Sequence, residues 1–183
     1  MSLTKTPICD FGKKAESFEL KSIDNKVLKL EDIRGENGTL IMFICNHCPY
    51  VKAIISDIVK DCKTLSKIGI NSMAICSNDV ENYPEDSFEN MVKFSKTNNF
   101  NFPYFQDESQ DIAKKYGAVC TPDFFGYNKN LELQYRGRIR ELKDLKPVRD
   151  GDSDLLLAMK EISKTGRGPK NQIPSMGCNI KWK

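Results

Sequence analysis

The run Thr39-Leu40-Ile41-Met42-Phe43-Ile44 is apolar apart from its first side chain, and it breaks off at once into Cys45-Asn46-His47-Cys48-Pro49. It is too short to cross a bilayer and too uniform for a strand with one wet face. A strand buried on both faces is predicted, as in a parallel sheet covered by helices. From Pro49 the period changes. Val51, Ile54, Ile55, Ile58, Val59, Cys62 and Leu65 recur at helical spacing, with Lys52, Asp57, Lys60, Asp61 and Lys63 between them. Gly69 closes that helix, and Ile70 to Cys76 reads as the next buried strand. Strand, helix and strand in this order form a right-handed crossover.

The flanking sequence extends the α/β pattern. Phe18 to Ile23 and Lys26 to Leu30 alternate apolar with polar around Asp24-Asn25, which tolerates positive φ, so a β-hairpin is expected near the N-terminus. Helices are expected at Glu85 to Lys96, Ser109 to Tyr116 and Asp154 to Ser163, the last capped by Asp152 or Ser153. Strands are expected at Phe102 to Phe105, Asp123 to Tyr127 and Leu131 to Arg136. Residues 164–183, rich in Gly and Pro, read as an irregular C-terminal tail. Residues 1–183 then form one domain, a mixed central sheet flanked by helices.

Charge excludes some partners. The 28 Lys and Arg are matched by 25 Asp and Glu, for a net +3, and no stretch concentrates them on one face. No nucleic-acid partner and no membrane partner are expected. Met1 to Lys5 lacks the apolar core of a secretion signal, so a cytoplasmic location is expected. Seven cysteines in that compartment are buried small side chains, redox thiols or metal ligands rather than a disulfide framework.

Cys45-Asn46-His47-Cys48 sits where the buried strand gives way to the amphipathic helix, the context in which a Cys-x-x-Cys reads as a thioredoxin-like redox motif. The spacing brings two sulfurs within bridging reach. Proline is tolerated in a first helical turn, so Pro49 belongs there, which puts Cys45 at about the N-cap. The helix dipole would stabilise its thiolate by about 0.3–1 kcal/mol, up to ~2 when partly buried, and a protonated His47 would add to this. Cys45 is therefore the expected nucleophile, more exposed and more acidic than Cys48, the expected resolving thiol. No cofactor is expected. The partners would be a disulfide-containing protein or a small thiol or peroxide, together with a thiol electron donor; the oligomeric state is not legible.

Several longer stretches carry a family resemblance: Phe43 to Val51, Ser77-Asn78-Asp79 with Glu81 to Asp86, Ala118-Val119-Cys120-Thr121-Pro122-Asp123-Phe124-Phe125, Tyr135 to Ile139, and Pro174 to Trp182. From about Phe18 onward the chain resembles the peroxiredoxin-like branch of the thioredoxin superfamily, grouped with alkyl hydroperoxide reductases and thiol-specific antioxidants. The resemblance implies a thioredoxin-like fold, a cis peptide before Pro122 facing the motif, and a backbone at Thr121 that pairs with an extended substrate. It also implies two departures. Met42 and Gly38, counted back from Cys45, or Cys45 and Ile41, counted back from Cys48, stand where peroxiredoxins keep Thr and Pro. Thr39 stands where thioredoxins bury an acid, leaving His47 or Lys52, acting through water, as the proton relay.

The other cysteines divide by context. Cys120 would lie near the motif, as a trap for an intermediate, a metal ligand with Cys45 and Cys48, or a packing thiol. Cys178 is expected to be docked with the tail, with a resolving thiol as the alternative, Cys62 and Cys76 to be core, and Cys9 to lie near solvent. Arg136 and Arg138 either face a thiolate or end a strand in solvent. The leading reading is a thiol–disulfide oxidoreductase; the alternatives are a thiol peroxidase and a metal-binding or redox-sensing module built on Cys45, Cys48 and Cys120.

Overall fold

The computed structural model describes residues 3–183. Its elements are β1 (Leu3–Lys5), β2 (Glu19–Ser22), β3 (Val27–Lys29), α1 (Leu30–Ile33), β4 (Gly38–Phe43), α2 (Pro49–Ser66), β5 (Ile70–Cys76), α3 (Phe88–Thr97), β6 (Tyr104–Gln106), α4 (Asp111–Tyr116), β7 (Cys120–Thr121), β8 (Asp123–Tyr127), β9 (Leu133–Tyr135), β10 (Leu142–Lys143), β11 (Lys146–Pro147), α5 (Asp154–Thr165) and β12 (Met176–Asn179). The main sheet has the order β3-β2-β6-β5-β4-β8-β9. The apolar strand β4 lies inside it, parallel to β5 and antiparallel to β8, with all six residues buried. Period-two alternation divides it between two cores. Leu40, Met42 and Ile44 pack with Ile54, Ile58, Leu155 and Met159 of α2 and α5. Ile41 and Phe43 pack on the opposite face with Ile75, Phe125 and Tyr116. Each such side chain, fully buried, contributes about 1.5–3 kcal/mol. The strand therefore ends at a fixed point, and the Cys-x-x-Cys motif after it inherits that position.

The amphipathic helix is as expected along its apolar stripe, with one exception: Asp61 lies buried among the core positions, bonded to Ser153, whose hydroxyl also accepts the Leu156 N–H as the cap of α5. Gly69, at φ 75°, makes the reversal into β5 that few other residues adopt. The N-terminal hairpin is present as β2 and β3, paired antiparallel, with Asn25 at φ 65°.

The tail departs from expectation. Residues 164–183 are not irregular throughout: α5 extends to Thr165, and Met176–Asn179 form the middle strand of a second sheet, β1-β12-β7. Cys178 stands opposite Leu3 on one side and Thr121 on the other. The backbone groups of this stretch find partners on two edges at once, which a composition-based reading of a Gly- and Pro-rich segment does not anticipate. Gly177 permits the close approach, since a Cβ there would lie 2.0 Å from the Thr121 carbonyl oxygen.

Candidate active site

The Thr121–Pro122 peptide is cis. It joins β7 to β8 beside the start of α2, and Thr121 reaches both motif cysteines: its Oγ1 lies 3.3 Å from Cys45 Sγ, and its carbonyl oxygen accepts from Cys48 Sγ at 3.1 Å. Cys45 and Cys48 are both buried, at 1% and 0% exposure, so the expectation of an exposed Cys45 is corrected.

The helix cap is corrected as well. Pro49 is the first residue of α2 and Cys48 is its N-cap, so the free N–H groups of the first turn face Cys48 rather than Cys45. Proline's fixed φ and missing donor suit the first helical position, and the residue just before it then becomes the cap. Hydrogen bonding from the Cys45 thiol holds the Cys48 thiol below its ordinary range, with help from the Cys178 thiol and the Val51 N–H; burial opposes the shift. The Thr121 carbonyl also favours the protonated form. Cys45 moves the other way, its proton held by the bond to Cys48, by burial and by the charge of Asp86. Its position before the cap leaves it no helix N–H groups to offset these effects.

A buried acid stands next to the motif, although not on the strand. Asp86, in a single 3-10 turn over Pro84–Asp86, is fully buried. Its carboxylate accepts from the Asn46 N–H at 2.8 Å and from the Asn78 side-chain amide at 2.8 Å, and its Oδ2 lies 2.7 Å from His47 Nδ1. That contact raises the His47 pKa above the ordinary imidazole range, Asp86 outweighing the effect of burial. The His47 ring stacks on Tyr83, with centroids 5.8 Å apart and planes 9° from parallel. Cys45 Sγ, a His47 ring nitrogen and an Asp86 oxygen all lie within 4.8 Å of one another. This trio would be the donors for a metal ion; the set anticipated from sequence, with Cys120, is not the one assembled. Sequence reasoning does not single out Asp86, although the stretch Glu81 to Asp86 carries part of the resemblance.

The remaining candidates separate. Cys120 is buried, its thiol 3.7 Å from the Pro122 carbonyl oxygen and close enough to Cys48 and Cys178 to feel their charge. Cys178 takes the nearer place, its sulfur 3.0 Å from Cys48 Sγ. Arg136 neither faces a thiolate nor ends in solvent: it pairs with buried Asp123 at 2.9 Å and lies over the Phe125 ring. Arg138 pairs with Asp154 at 2.8 Å. Cys62 and Cys76 are core thiols, both pushed up to about 12 by burial. Cys9 is half-buried, with part of its surface open to solvent. A cavity of about 400 Å³ opens on the outer side of Pro122, lined by Tyr50, Ile54, Arg138, Arg140 and Met176 among others. Among the described residues, no helix is long and apolar enough to cross a membrane.

Comparison with solved structures finds similarity over the whole chain to an uncharacterized conserved protein of Geobacillus kaustophilus, at 39% identity and TM-score 0.94, covering 100% of this chain and 97% of that one. A hypothetical protein of Sinorhizobium meliloti 1021 is similar at 33% identity and TM-score 0.90, covering 100% and 99%. The fold is shared with a secreted disulfide oxidoreductase of Mycobacterium tuberculosis, at 14% identity and TM-score 0.55 over 64% of this chain and 80% of that one. A comparison with curated protein sequences gives no match. Residues 11–142 match the AhpC/TSA family. That span holds β4, the motif, Asp86 and cis-Pro122, and on it the chain belongs to the AhpC/TSA family, within the thioredoxin superfamily.

Proposed function

We propose that the protein is a thiol–disulfide oxidoreductase in which Cys48 attacks and Cys45 resolves, the reverse of the order expected from sequence. The observation that carries this reading is the position of Cys48 at the N-cap of α2, with Cys178 Sγ 3.0 Å from its sulfur. A thiolate is the attacking species in exchange. Cys48 thiolate displaces one sulfur of a disulfide and forms a mixed disulfide. Cys45 then attacks the Cys48 sulfur and releases the second substrate thiol, leaving a Cys45–Cys48 disulfide for an external thiol donor to reduce. The proton leaving Cys45 has an acceptor within reach, the Asp86–His47 pair.

Direct reduction of peroxide is the second reading, supported by the family match. Against it stands the engagement of Arg136 with Asp123, which leaves that guanidinium paired away from the motif sulfurs. The test is turnover of glutathione disulfide against turnover of hydrogen peroxide by the full chain, with Cys45→Ser and Cys48→Ser. Disulfide turnover abolished by Cys48→Ser, with a glutathione mixed disulfide trapped on Cys48 when Cys45 and Cys178 are both replaced by Ser, is the expected result. Peroxide turnover that survives Cys45→Ser, with none on the disulfide, would overturn it.

A further inference from the structure

Two thiols, Cys45 and Cys178, lie beside one sulfur, that of Cys48. Cys45 lies beside Cys48 within the motif, and Cys178 comes from the far end of the chain to within 3.0 Å of the Cys48 sulfur. Disulfide sulfurs lie ~2.05 Å apart, so a shift of about an ångström separates this contact from a bond. The contact is built rather than incidental. Cys178 pairs in register with Thr121, the residue before the cis peptide, and Gly177 is the only kind of residue that fits against the Thr121 carbonyl. Both flanks of β12 are pinned. Ser175 donates its hydroxyl to the Pro122 carbonyl at 2.9 Å and its N–H to Thr6 Oγ1 at 3.0 Å. Beyond the strand, the Lys181 N–H donates to Asn78 Oδ1 at 2.9 Å, the same Asn78 whose amide bonds Asp86.

We propose that Cys178 is a third redox-active thiol, which takes over the disulfide from Cys45 and leaves it as Cys48–Cys178. This inference rests on the proposal that Cys48 is redox-active. The step is an exchange without net oxidation. Cys178 loses its proton and attacks Cys48 Sγ within the Cys45–Cys48 disulfide; the Cys48–Cys178 bond forms, the Cys45–Cys48 bond breaks, and Cys45 leaves as a thiolate that takes up a proton. The disulfide then ties α2 to β12, with Cys45 restored as a thiol. Because β12 covers the edge of β7, an extended polypeptide cannot pair there while the strand is docked, and Cys178 occupies the place where a substrate sulfur would otherwise be presented.

The test is a disulfide map. The full-length wild type and a Cys45→Ser variant are oxidised with glutathione disulfide, quenched in acid with N-ethylmaleimide, digested and analysed by mass spectrometry. A Cys48–Cys178 linked peptide in wild type, and in Cys45→Ser an intramolecular link with no glutathione retained, are the expected results. A wild type linked only through Cys45–Cys48, with glutathione remaining on Cys48 in Cys45→Ser, overturns the role of Cys178 and leaves the dithiol function standing. No change at Cys48 in either protein overturns both. The wild-type map needs no substitution, so a folding defect in the variant cannot decide the outcome.

Discussion

Replacing Asp86 by Asn removes a buried charge while keeping the side-chain shape, and it separates the two jobs assigned to this residue. The carboxylate is fully buried and is contacted by Asn46 N–H, the Asn78 amide and His47 Nδ1, at 2.7 to 2.8 Å. An amide offers one acceptor oxygen and an NH₂ group, so at least one of the three loses its partner. A hydrogen bond to a charged group is worth about 1.5–3 kcal/mol, which sets the expected loss of stability. Electrostatics acts on the neighbours. At the 4.8 Å limit separating Cys45 Sγ from the Asp86 oxygen, two unit charges interact by about 3.5 kcal/mol at an effective dielectric of ~20. His47 should therefore fall back toward the ordinary imidazole range, and Cys45 should become more acidic. The proton acceptor is lost at the same time, and a positioned base contributes about 10²–10⁴-fold. Greater acidity of Cys45 returns part of that, so collapse of a Cys48–glutathione mixed disulfide should slow at least about tenfold at pH 7 and recover toward pH 9. Stopped-flow release of glutathione, with the His47 titration followed by NMR, measures both effects. If His47 moves as expected while the mixed disulfide collapses at the wild-type rate, Asp86 is not the acceptor and the buried-acid argument fails.

The same geometry sets three further outcomes. Iodoacetamide should label one acidic thiol in Cys45→Ser and lose that fast phase in Cys48→Ser; a fast phase that persists in Cys48→Ser would return the thiolate to Cys45. His47→Ala should make the dithiol more reducing, because it removes a cation near Cys48 and leaves the charge of Asp86 less compensated; ~30 mV corresponds to ~1.4 kcal/mol, and glutathione titration reads the shift. Asp61, pushed up to about 6 by burial, holds its proton in the fold between pH ~3.8 and about 6, so stability should fall by about 3 kcal/mol as pH rises across that window and stay flat above it. Asp61→Asn should remove that slope in guanidinium unfolding and be more stable than wild type at pH 7.

Much of the frame is legible because it is written in periods. The uniform run of β4, the helical stripe from Val51 to Leu65 and the alternation in the hairpin each report burial directly, and the elements stand where those patterns put them. The start of α3 differs, falling at Phe88, because Pro84–Asp86 turns separately as a 3-10 turn and Ser87 caps the α-helix. The candidate site is legible only where it is local. Cys45, His47 and Cys48 are neighbours in sequence, whereas Asp86 and Cys178 reach them through loop and strand placements that no period encodes. The family pattern directs attention to a buried acid on β4, where Thr39 stands, and the acid comes instead from the loop after β5. The tail is misleading in sequence because Gly and Pro mark both loose segments and close strand contacts; Gly177 belongs to the second kind.

The order of the two cysteines turns on one residue. Proline at the first helical position leaves the preceding residue as the cap, and Pro49 therefore assigns the helix N–H groups to the second cysteine of the pair. The first cysteine, set back toward the end of β4, has its pKa raised by its interaction with Cys48, by burial and by the charge of the buried Asp86. In the proposed mechanism the attacking and resolving thiols thus occupy opposite places from those that the spacing of a Cys-x-x-Cys alone would suggest. Both motif cysteines lie against Thr121 of β7, and it is Cys48 that meets Cys178, presented by β12 where it pairs with Thr121. A shift of the helix start by three residues puts the free N–H groups at Cys48, the same sulfur that Cys178 approaches.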